Sequence, residues 1–376
     1  MDIETLCIHG NKKRYDTTGA ICVPIFTSAT YSHPGVGLST GFDYSRTQNP
    51  TREHLEHTVA ALEGGCGAVA FSSGMAAVSA LMELFSPGDH IVASDDLYGG
   101  SYRLFEQIST KNGITFSYAD SVEALIAAIS PSTKAIFVET PTNPMMHVID
   151  IAAVSEITQK RGLLLIVDNT FLTPYFQRPL SLGADIVLHS ATKYLGGHND
   201  ALAGLLVAKN AGVCERLRVI ANTTGAVLSP FDSYLITRGI KTLAVRMERQ
   251  QKTAQEVASW LEKRKEVTRV YYVGLPNHKS LGTTLQQSSG FGGMISFSVS
   301  NEETAVKLLE RVKVIQYAES LGGVESLITY PAIQTHGDIP EEIRLARGID
   351  SRLLRLSVGL ESANDLLCDL QQALEG

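Results

Sequence analysis

Short apolar runs alternate with helix-like stretches through the middle of the chain. The runs are continuous, which is typical of strands that are buried on both faces of a sheet. They predict strands at residues 67–71, 90–93, 135–139, 163–168, 185–189 and 205–208. Spacing typical of helices predicts helices between them at residues 75–84, 122–129 and 152–160. Strands that alternate with helices form a mostly parallel sheet flanked by helices, so we predict an α/β fold.

The two ends of the chain have a different pattern. Residues 1–58 contain Pro24, Pro34 and Pro50 and a glycine-rich patch, so this segment is predicted to be irregular and to pack on another surface. A long amphipathic stretch at 242–265 leads into a second region with a strand at 293–299 and helices at 302–312 and 363–374. We therefore predict an N-terminal arm, a main α/β domain and a smaller α+β C-terminal domain, at residues 1–58, 59–245 and 246–376.

Composition narrows the possible functions. Hydrophobic residues make up 44 % and charged residues 19 % of the 376 residues, and the formal net charge is −7. An acidic globular chain of this kind is not expected to bind nucleic acid. No apolar run is long enough to cross a membrane, and the first residues lack the apolar region of a signal peptide, so we expect a cytoplasmic protein. The cysteines are scattered and no histidines have the spacing of metal ligands, so no metal site is predicted.

Polar residues follow several predicted strands, at the edge where parallel sheets bind their ligands. Ser73, Gly74 and Met75 lie between the first strand and a helix. Free backbone N–H groups and the positive end of that helix would bind a phosphate there. An ordinary serine cap at the start of the helix explains the same residues equally well.

Asn143, Asp168 and Lys193 each follow a later strand. Asp168 ends an apolar run, where a buried carboxylate needs a positive partner such as a protonated ring nitrogen, although a turn or cap aspartate is the alternative. Lys193 follows the hydroxyls of Ser190 and Thr192, and burial would make its amine a nucleophile for an aldehyde. Spacing alone favours a surface lysine. Together, however, these residues suit an aldehyde cofactor with a phosphate and a ring nitrogen, such as pyridoxal phosphate.

Segments in matching order over nearly the whole chain resemble the Cys/Met-metabolism family of pyridoxal-phosphate-dependent enzymes. These segments are DYSRTQNPT, FSSGMAA, DDLYGGSYR, VETPTNP, VDNTFLTPYFQRPL, HSATKYLGGH, AESLGGVESL and LLRLSVGLE. The SATKY block with its upstream aspartate is highly specific. The resemblance implies pyridoxal 5′-phosphate as cofactor and the fold type I architecture, similar to that of aspartate aminotransferase, with a smaller α+β C-terminal domain.

The resemblance also implies roles for individual residues. Lys193 would carry the cofactor and shuttle protons, and Asp168 would keep the ring nitrogen protonated. Asn143 would face the ring hydroxyl, and Tyr98 would stack on the ring and act as an acid–base group. The phosphate would be bound by residues of two turns, namely Ser73, Gly74, Met75, Ser190 and Thr192.

Other implied roles concern the substrate and the assembly. Arg355 and Ser326 would orient the substrate carboxylate, because an arginine fork binds a carboxylate through two parallel hydrogen bonds. Tyr44 and Arg46 would cross to a neighbouring subunit and complete its phosphate and substrate site. This agrees with the arm predicted from composition, and the expected assembly is a homotetramer made of two dimers.

Four residues bear on the choice of reaction. Glu325 matches the glutamate that γ-acting cystathionine enzymes carry near the distal end of the substrate pocket, where bacterial β-lyases have an aromatic residue, so a β-lyase is not favoured. Arg103 matches a distal-pocket arginine that suits a substrate with a second charged end. Gly100 stands where methionine γ-lyases carry a cysteine, and Thr47 stands where some γ-synthases carry an arginine. These features favour a γ-lyase reaction of cysteine and methionine metabolism, in which L-cystathionine gives L-cysteine, 2-oxobutyrate and ammonia.

The alternatives remain open. The second is a γ-synthase reaction, which joins an O-acyl-L-homoserine to L-cysteine, and the third is γ-elimination from methionine or homocysteine. Outside enzymes, a regulator that binds pyridoxal phosphate without useful turnover is the remaining alternative.

Overall fold

Two β-sheets form within residues 1–10 and 17–375, the part of the chain that this computed structural model describes. The larger sheet has the spatial order β1-β7-β6-β5-β4-β2-β3. Its strands are β1 (Gly67–Phe71), β2 (His90–Ser94), β3 (Thr115–Ala119), β4 (Thr133–Glu139), β5 (Leu164–Asp168), β6 (Ile186–Ser190) and β7 (Gly204–Ala208). Every residue of β1, β2 and β7 is buried, as their continuous apolar sequences require.

Six of these strands run in one direction. β2 pairs in parallel with β3 and β4, and β5 pairs in parallel with β4 and β6. β7 is antiparallel to both β1 and β6, so β1 runs with the other strands. The predicted mostly parallel sheet is therefore confirmed. The carboxyl ends of β1, β2, β4, β5 and β6 meet at one edge, where the polar residues that follow them are brought together.

Helices cover both faces of the larger sheet. The first ten helices are α1 (Ile3–His9), α2 (Pro50–Glu63), α3 (Gly74–Met82), α4 (Gly99–Gln107), α5 (Val122–Ala127), α6 (Ile151–Arg161), α7 (Thr173–Phe176), α8 (Ala211–Thr224), α9 (Pro230–Ile240) and α10 (Leu243–Leu261). One apolar layer includes Leu55 of α2 and Val154 of α6, and the opposite layer includes Phe105 of α4 and Leu217 of α8. Among the described residues, no helix combines the length and the apolar character that a bilayer crossing requires.

Helix α2 begins at Pro50, inside the segment that the sequence pattern predicts to be irregular. The side chain of Asn49 accepts hydrogen bonds from the N–H groups of Thr51 and Arg52, and Pro50 occupies the first turn. Both features favour helix initiation, because the cap binds orphan donors and proline lacks an N–H that would be unpaired there. The prediction for residues 50–58 is wrong, since these residues form the first turns of a buried helix that ends at Gly64 with φ of 77°.

The smaller sheet is mostly antiparallel and has the order β10-β11-β12-β9-β8. Its strands are β8 (Val267–Tyr271), β9 (Met294–Val299), β10 (Gln316–Tyr317), β11 (Leu327–Thr329) and β12 (Leu353–Ser357). The remaining helices are α11 (Leu281–Gln287), α12 (Glu302–Arg311), α13 (Glu341–Ala346) and α14 (Ala363–Glu375). Buried residues of β9, β12 and α14, such as Phe297, Leu356 and Leu370, form a separate core.

A buried aspartate attaches α14 to the loop after α12. The Asp369 carboxylate accepts hydrogen bonds from the N–H groups of Lys313, Val314 and Ile315 at 2.8–3.1 Å. Because a carboxylate has two acceptor oxygens and an amide has one, Asp369→Asn would leave buried donors unpaired. We expect this variant to lower the free energy of unfolding by about 2–4 kcal/mol in urea denaturation.

The matched control is Asp365→Asn, on the exposed side of the first turn of the same helix. Only its interaction with the helix dipole is lost, so the expected change in the free energy of unfolding is below about 1 kcal/mol. Equal losses for the two variants would contradict the prediction for Asp369.

Candidate active site

A cavity of about 320 Å³ lies at the carboxyl edge of the larger sheet, where residues of the smaller sheet face it. Most of the residues singled out from the sequence line this cavity. They are Ser73, Gly74, Met75, Tyr98, Asn143, Asp168, Ser190, Thr192, Lys193 and Arg355. The strand ends that appear separately along the sequence therefore contribute to one site.

The turn from β1 into α3 has the features of an anion-binding site. Ser73 is the N-cap of α3, and its hydroxyl accepts a hydrogen bond from the N–H of Ala76 at 3.1 Å. A Cβ on Gly74 would lie 3.0 Å from both Cβ and Oγ of Ser190, so a larger residue would crowd this turn. Ser190 and Thr192 line the same part of the cavity. N–H groups at a helix start beside hydroxyl donors suit a phosphate.

Lys193 is half-buried in the cavity just beyond the end of β6. Its Nζ donates a hydrogen bond to the hydroxyl of Ser320 at 2.8 Å. Burial, with a smaller contribution from the positive charge of Arg355, lowers the pKa of Lys193 to about 8. With a pKa of about 8, roughly a tenth of the amine is neutral at pH 7. The alternative of a solvated surface lysine does not apply, and this amine can act as a nucleophile.

Asp168 is a buried carboxylate at the end of β5. Its Oδ1 accepts hydrogen bonds from the N–H of Thr170 at 3.0 Å and from its hydroxyl at 2.5 Å. The same Thr170 oxygen accepts from the N–H of Ser190, which joins the ends of β5 and β6. Burial raises the pKa of Asp168, and the bonds from Thr170 oppose that rise. No described lysine or arginine forms an ion pair with this carboxylate, so a cationic ligand can serve as its partner.

Glu139 is a second buried carboxyl group of the cavity, and the sequence analysis missed it. It is the last residue of β4 and the register neighbour of Asp168. Its Oε2 accepts a hydrogen bond from the N–H of Tyr98 at 2.9 Å. Burial, followed by the negative charge of Asp168, raises the pKa of Glu139 well above its usual value. The signal was present, because Glu139 ends a predicted strand just as Asp168 does.

Arg355 brings a guanidinium from β12 of the smaller sheet into the cavity. Its Nη1 donates to the side-chain oxygen of Asn143 at 2.8 Å, and its Nη2 donates to the carbonyl of Ser320 and the hydroxyl of Thr329, both at 3.1 Å. Its Nε is buried without a hydrogen-bond partner. A buried donor of this kind suits an anionic ligand such as a carboxylate.

Tyr98 stands at the start of α4 and remains 41 % exposed. A Cβ on Gly100 would lie 2.5 Å from Cε1 of Tyr98 and 3.0 Å from Sδ of Met75. A side chain at position 100 would therefore displace Tyr98 from its present place at the cavity. The position of the Tyr98 ring therefore requires a glycine at position 100.

Several predicted site residues do not line the cavity of their own chain. Ser326 is fully buried outside the cavity, where its hydroxyl donates to Glu361 at 2.7 Å. Ser320 is the serine that lies beside Lys193. Glu325 is exposed and accepts a hydrogen bond from Asn199 at 2.7 Å.

The three remaining predicted residues are also outside the cavity. Arg103 pairs with Asp338 at the surface. Tyr44 is 47 % exposed, and the guanidinium of Arg46 lies over its ring and donates to the carbonyl of Asn222. These exposed positions leave the side chains available to a neighbouring molecule.

A buried hydrogen-bond network lies behind the strand ends. Glu63 of α2 accepts hydrogen bonds from His189 at 2.6 Å and from Asn169 at 3.1 Å. The amide of Gln177 donates to Asn169 and to the carbonyl of Thr140, both at 3.0 Å. The network thereby connects the residues that follow β4 and β5 to β6. We refer to Glu63, His189, Asn169 and Gln177 as the rear network.

The site is therefore chemically specific. It combines an amine with a lowered pKa, an anion-binding turn, a carboxylate without a cationic partner and a buried guanidinium. Among the described residues, no group of three or more histidine, cysteine, aspartate or glutamate side chains is arranged to hold a metal ion.

Comparison with known proteins gives a consistent result. The family described as "Cys/Met metabolism PLP-dependent enzyme" matches residues 4–375. A cystathionine γ-synthase/O-acetylhomoserine (thiol)-lyase of Bacillus subtilis is 53 % identical and covers 99 % of this chain and 96 % of its own. A cystathionine γ-lyase of the same organism is 51 % identical, with 100 % of both chains covered. A cystathionine β-lyase of Lactococcus lactis is 49 % identical, with 99 % of both covered.

The fold of a solved structure agrees with these matches. The crystal structure of a cystathionine γ-lyase from Lactobacillus plantarum, complexed with L-serine, has a TM-score of 0.96 and 46 % sequence identity. It covers 99 % of this chain and 98 % of its own.

Proposed function

The chain belongs to the Cys/Met-metabolism family of pyridoxal-phosphate-dependent enzymes, and from that premise we propose that it eliminates L-cysteine from L-cystathionine. The other products of this γ-lyase reaction are 2-oxobutyrate and ammonia. Relatives of similar identity carry the names γ-lyase, γ-synthase and β-lyase, so the choice among these reactions rests on the site.

The distribution of charge around the cavity supports cystathionine as substrate. Arg355 is 1 % exposed inside the cavity and suits the α-carboxylate. Arg103 and Glu325 are exposed and lie outside the cavity of this chain, at positions that the family resemblance links to the far end of the substrate. A second carboxylate and a second ammonium group, as in the far end of cystathionine, complement these two charges.

The residues present fit pyridoxal phosphate. The phosphate suits the turn at Ser73 and Gly74 with the hydroxyls of Ser190 and Thr192, and a protonated ring nitrogen suits the unpaired Asp168 carboxylate. When bound, this cofactor supplies an aldehyde that reacts with amines and a ring that accepts electrons from the substrate.

The chain itself supplies proton transfer and orientation. Lys193 Nζ, with its pKa of about 8, can accept a proton from a substrate carbon and return it to a neighbouring atom. Ser320 holds this amine in place through the 2.8 Å hydrogen bond. Tyr98, at the exposed side of the cavity, is positioned to exchange a proton with the leaving sulfur. Arg355 orients the substrate, which reduces the entropy cost of reaction.

The γ-synthase reaction is the second candidate. The relative at 53 % identity carries that name, and the same groups perform the first half of both reactions. The two reactions differ in whether a thiol adds to the substrate before release. Position 100, where methionine γ-lyases carry a cysteine, is a glycine in this chain and places no side chain beside Tyr98. It therefore gives no support to γ-elimination from methionine.

The test is to give the cofactor-loaded protein L-cystathionine alone and to identify the products by mass spectrometry. We expect L-cysteine with 2-oxobutyrate. Homocysteine with pyruvate would instead show β-elimination and would overturn the proposal. If no product forms, the same preparation with O-acetyl-L-homoserine and L-cysteine should yield cystathionine, which would establish the γ-synthase reaction in its place.

A further inference from the structure

We propose that Glu139 is a positioning residue of this site, which carries a proton while Asp168 keeps the negative charge, and which holds Tyr98 through its backbone N–H. The inference deepens the proposed function and rests on it for the role of Tyr98.

The first observation is the register of the sheet. Glu139 and Asp168 are Cα neighbours at the ends of the parallel strands β4 and β5. Neighbouring strands are about 4.8 Å apart, and residues in register point to the same face. Both side chains line the cavity and both residues are buried, at 6 % and 9 % exposure. Two carboxyl groups so close in a buried site cannot both be ionised without a large cost.

The second observation assigns the proton to Glu139. The Asp168 carboxylate accepts two hydrogen bonds from Thr170, whereas Glu139 accepts one, from the N–H of Tyr98. Hydrogen bonds that donate to a carboxylate stabilise its charged form. Of the two carboxyl groups, Asp168 therefore carries the negative charge and Glu139 carries the proton.

The other charged groups near Glu139 agree with this assignment. Asp96, in the loop after β2, is a third buried carboxyl group and adds negative charge from that side. Arg355 of the smaller sheet opposes these negative charges from across the cavity, but its effect on Glu139 is smaller than that of Asp168 or Asp96. Lys193 lines the same cavity, and its pKa of about 8 makes it a weak source of positive charge above that pH.

The third observation is the contact with Tyr98. The 2.9 Å bond from Tyr98 N–H to Glu139 Oε2 fixes the N-cap residue of α4 to the end of β4. The N–H of Glu139 in turn donates to the hydroxyl of Ser94 at 3.1 Å, at the end of β2. Glu139 thus sets the position of the Tyr98 backbone relative to two strand ends. A protonated carboxyl can do this without placing a second negative charge beside the ring nitrogen of a bound cofactor.

Infrared spectroscopy of the cofactor-loaded protein tests the proton. At pH 8, we expect the C=O stretching band of one protonated carboxyl group, because the pKa of Asp96 is only about 6 and that group is ionised. Labelling the side-chain carboxyl of glutamate with ¹³C should shift this band, and labelling aspartate should not. A band that shifts only with labelled aspartate would place the proton on Asp168 and overturn the proposal, as would the absence of any band.

Variants assign the band to one residue. Glu139→Gln should remove the glutamate band, whereas Glu63→Gln, at the other buried glutamate near these strands, should leave it. If Glu139→Gln does not fold, Asp168→Asn gives the same information. Removing the neighbouring charge should make the labelled band disappear at a lower pH than in the unaltered protein, and an unchanged pH dependence would overturn the proposal.

Kinetics test the contact with Tyr98. Glu139→Gln keeps an oxygen that can accept from the Tyr98 N–H, whereas Glu139→Ala does not. We expect kcat/KM of the alanine variant to be at least about tenfold below that of the glutamine variant, mainly through kcat. Equal kcat/KM values for the two variants would contradict the positioning role of Glu139. If L-cystathionine is not the substrate, the infrared result is unaffected, so failure of the proposed function and failure of this inference are distinguishable.

Discussion

Replacing Lys193 with alanine should reduce turnover of L-cystathionine by at least about a thousandfold, since general acid–base catalysis and nucleophilic tethering are both lost. The amine belongs to a half-buried residue, is bound to Ser320 and has a pKa of about 8, which suits it to accept and return protons near neutral pH. No other described lysine lines the cavity, so none is placed to substitute for it. The measurement is steady-state formation of 2-oxobutyrate at saturating cofactor.

The control for Lys193 is Lys209→Ala. Lys209 is exposed just after β7 and lies outside the cavity. Its replacement should leave kcat/KM within about twofold of the unaltered value, because surface substitutions of this kind have small effects. Turnover by Lys193→Ala at more than about a tenth of the unaltered rate would contradict the catalytic role proposed for Lys193.

Asp168→Asn should have the second largest effect. The variant retains an oxygen to accept from Thr170 but loses the charge that we propose would face a protonated ring nitrogen. A charged hydrogen bond contributes about 1.5–3 kcal/mol, so cofactor affinity should fall by about tenfold or more. Turnover should fall further, by about a hundredfold, because the same charge would favour the electron-accepting form of the bound cofactor's ring.

Two measurements check this prediction. Absorbance titration of the cofactor-free protein with pyridoxal phosphate gives the affinity, and 2-oxobutyrate formation at saturating cofactor gives kcat. Asp120→Asn, at an exposed aspartate outside the cavity, is the control. If Asp168→Asn matched the unaltered protein in both measurements, the ring nitrogen would have to be placed elsewhere.

The sequence predicts best where a run of residues is buried on both faces. Strand β1 has the bounds predicted for it, because each of its residues is apolar or small and buried. Strand β3 was missed, because it is an edge strand with exposed or half-buried residues (TFSYA) and lacks a continuous apolar run. The start of α2 was missed for a different reason. Its signal is the cap at Asn49 with Pro50, whereas the prolines and glycines before it dominate the local composition.

The site could be predicted where its residues follow strands of one parallel sheet. Asn143, Asp168 and Lys193 follow such strands, and the structure brings them to the same cavity. Arg355 comes from a different sheet, and only the resemblance to a family pointed to it. No local rule places a residue of β12 next to Asn143, because that contact depends on how the two sheets pack.

The choice between two serines shows a further limit. The segment AESLGGVESL contains Ser320 and Ser326, and its sequence alone does not indicate which of the two hydroxyl groups faces the site. Ser320 has φ of 88° and binds Lys193, whereas Ser326 directly precedes β11 and binds Glu361. The backbone conformation decides the outcome, and it follows from the surrounding glycines and from packing.

The rear network has a consequence for the free energy of ligand binding. Glu63, His189, Asn169 and Gln177 connect the ends of β5 and β6 and the residues after β4 entirely through bonds within the protein. Because these bonds need no ligand, the strand ends that carry cavity residues are held in place before any molecule enters. These residues then lose less conformational entropy when a ligand binds, which favours a higher affinity.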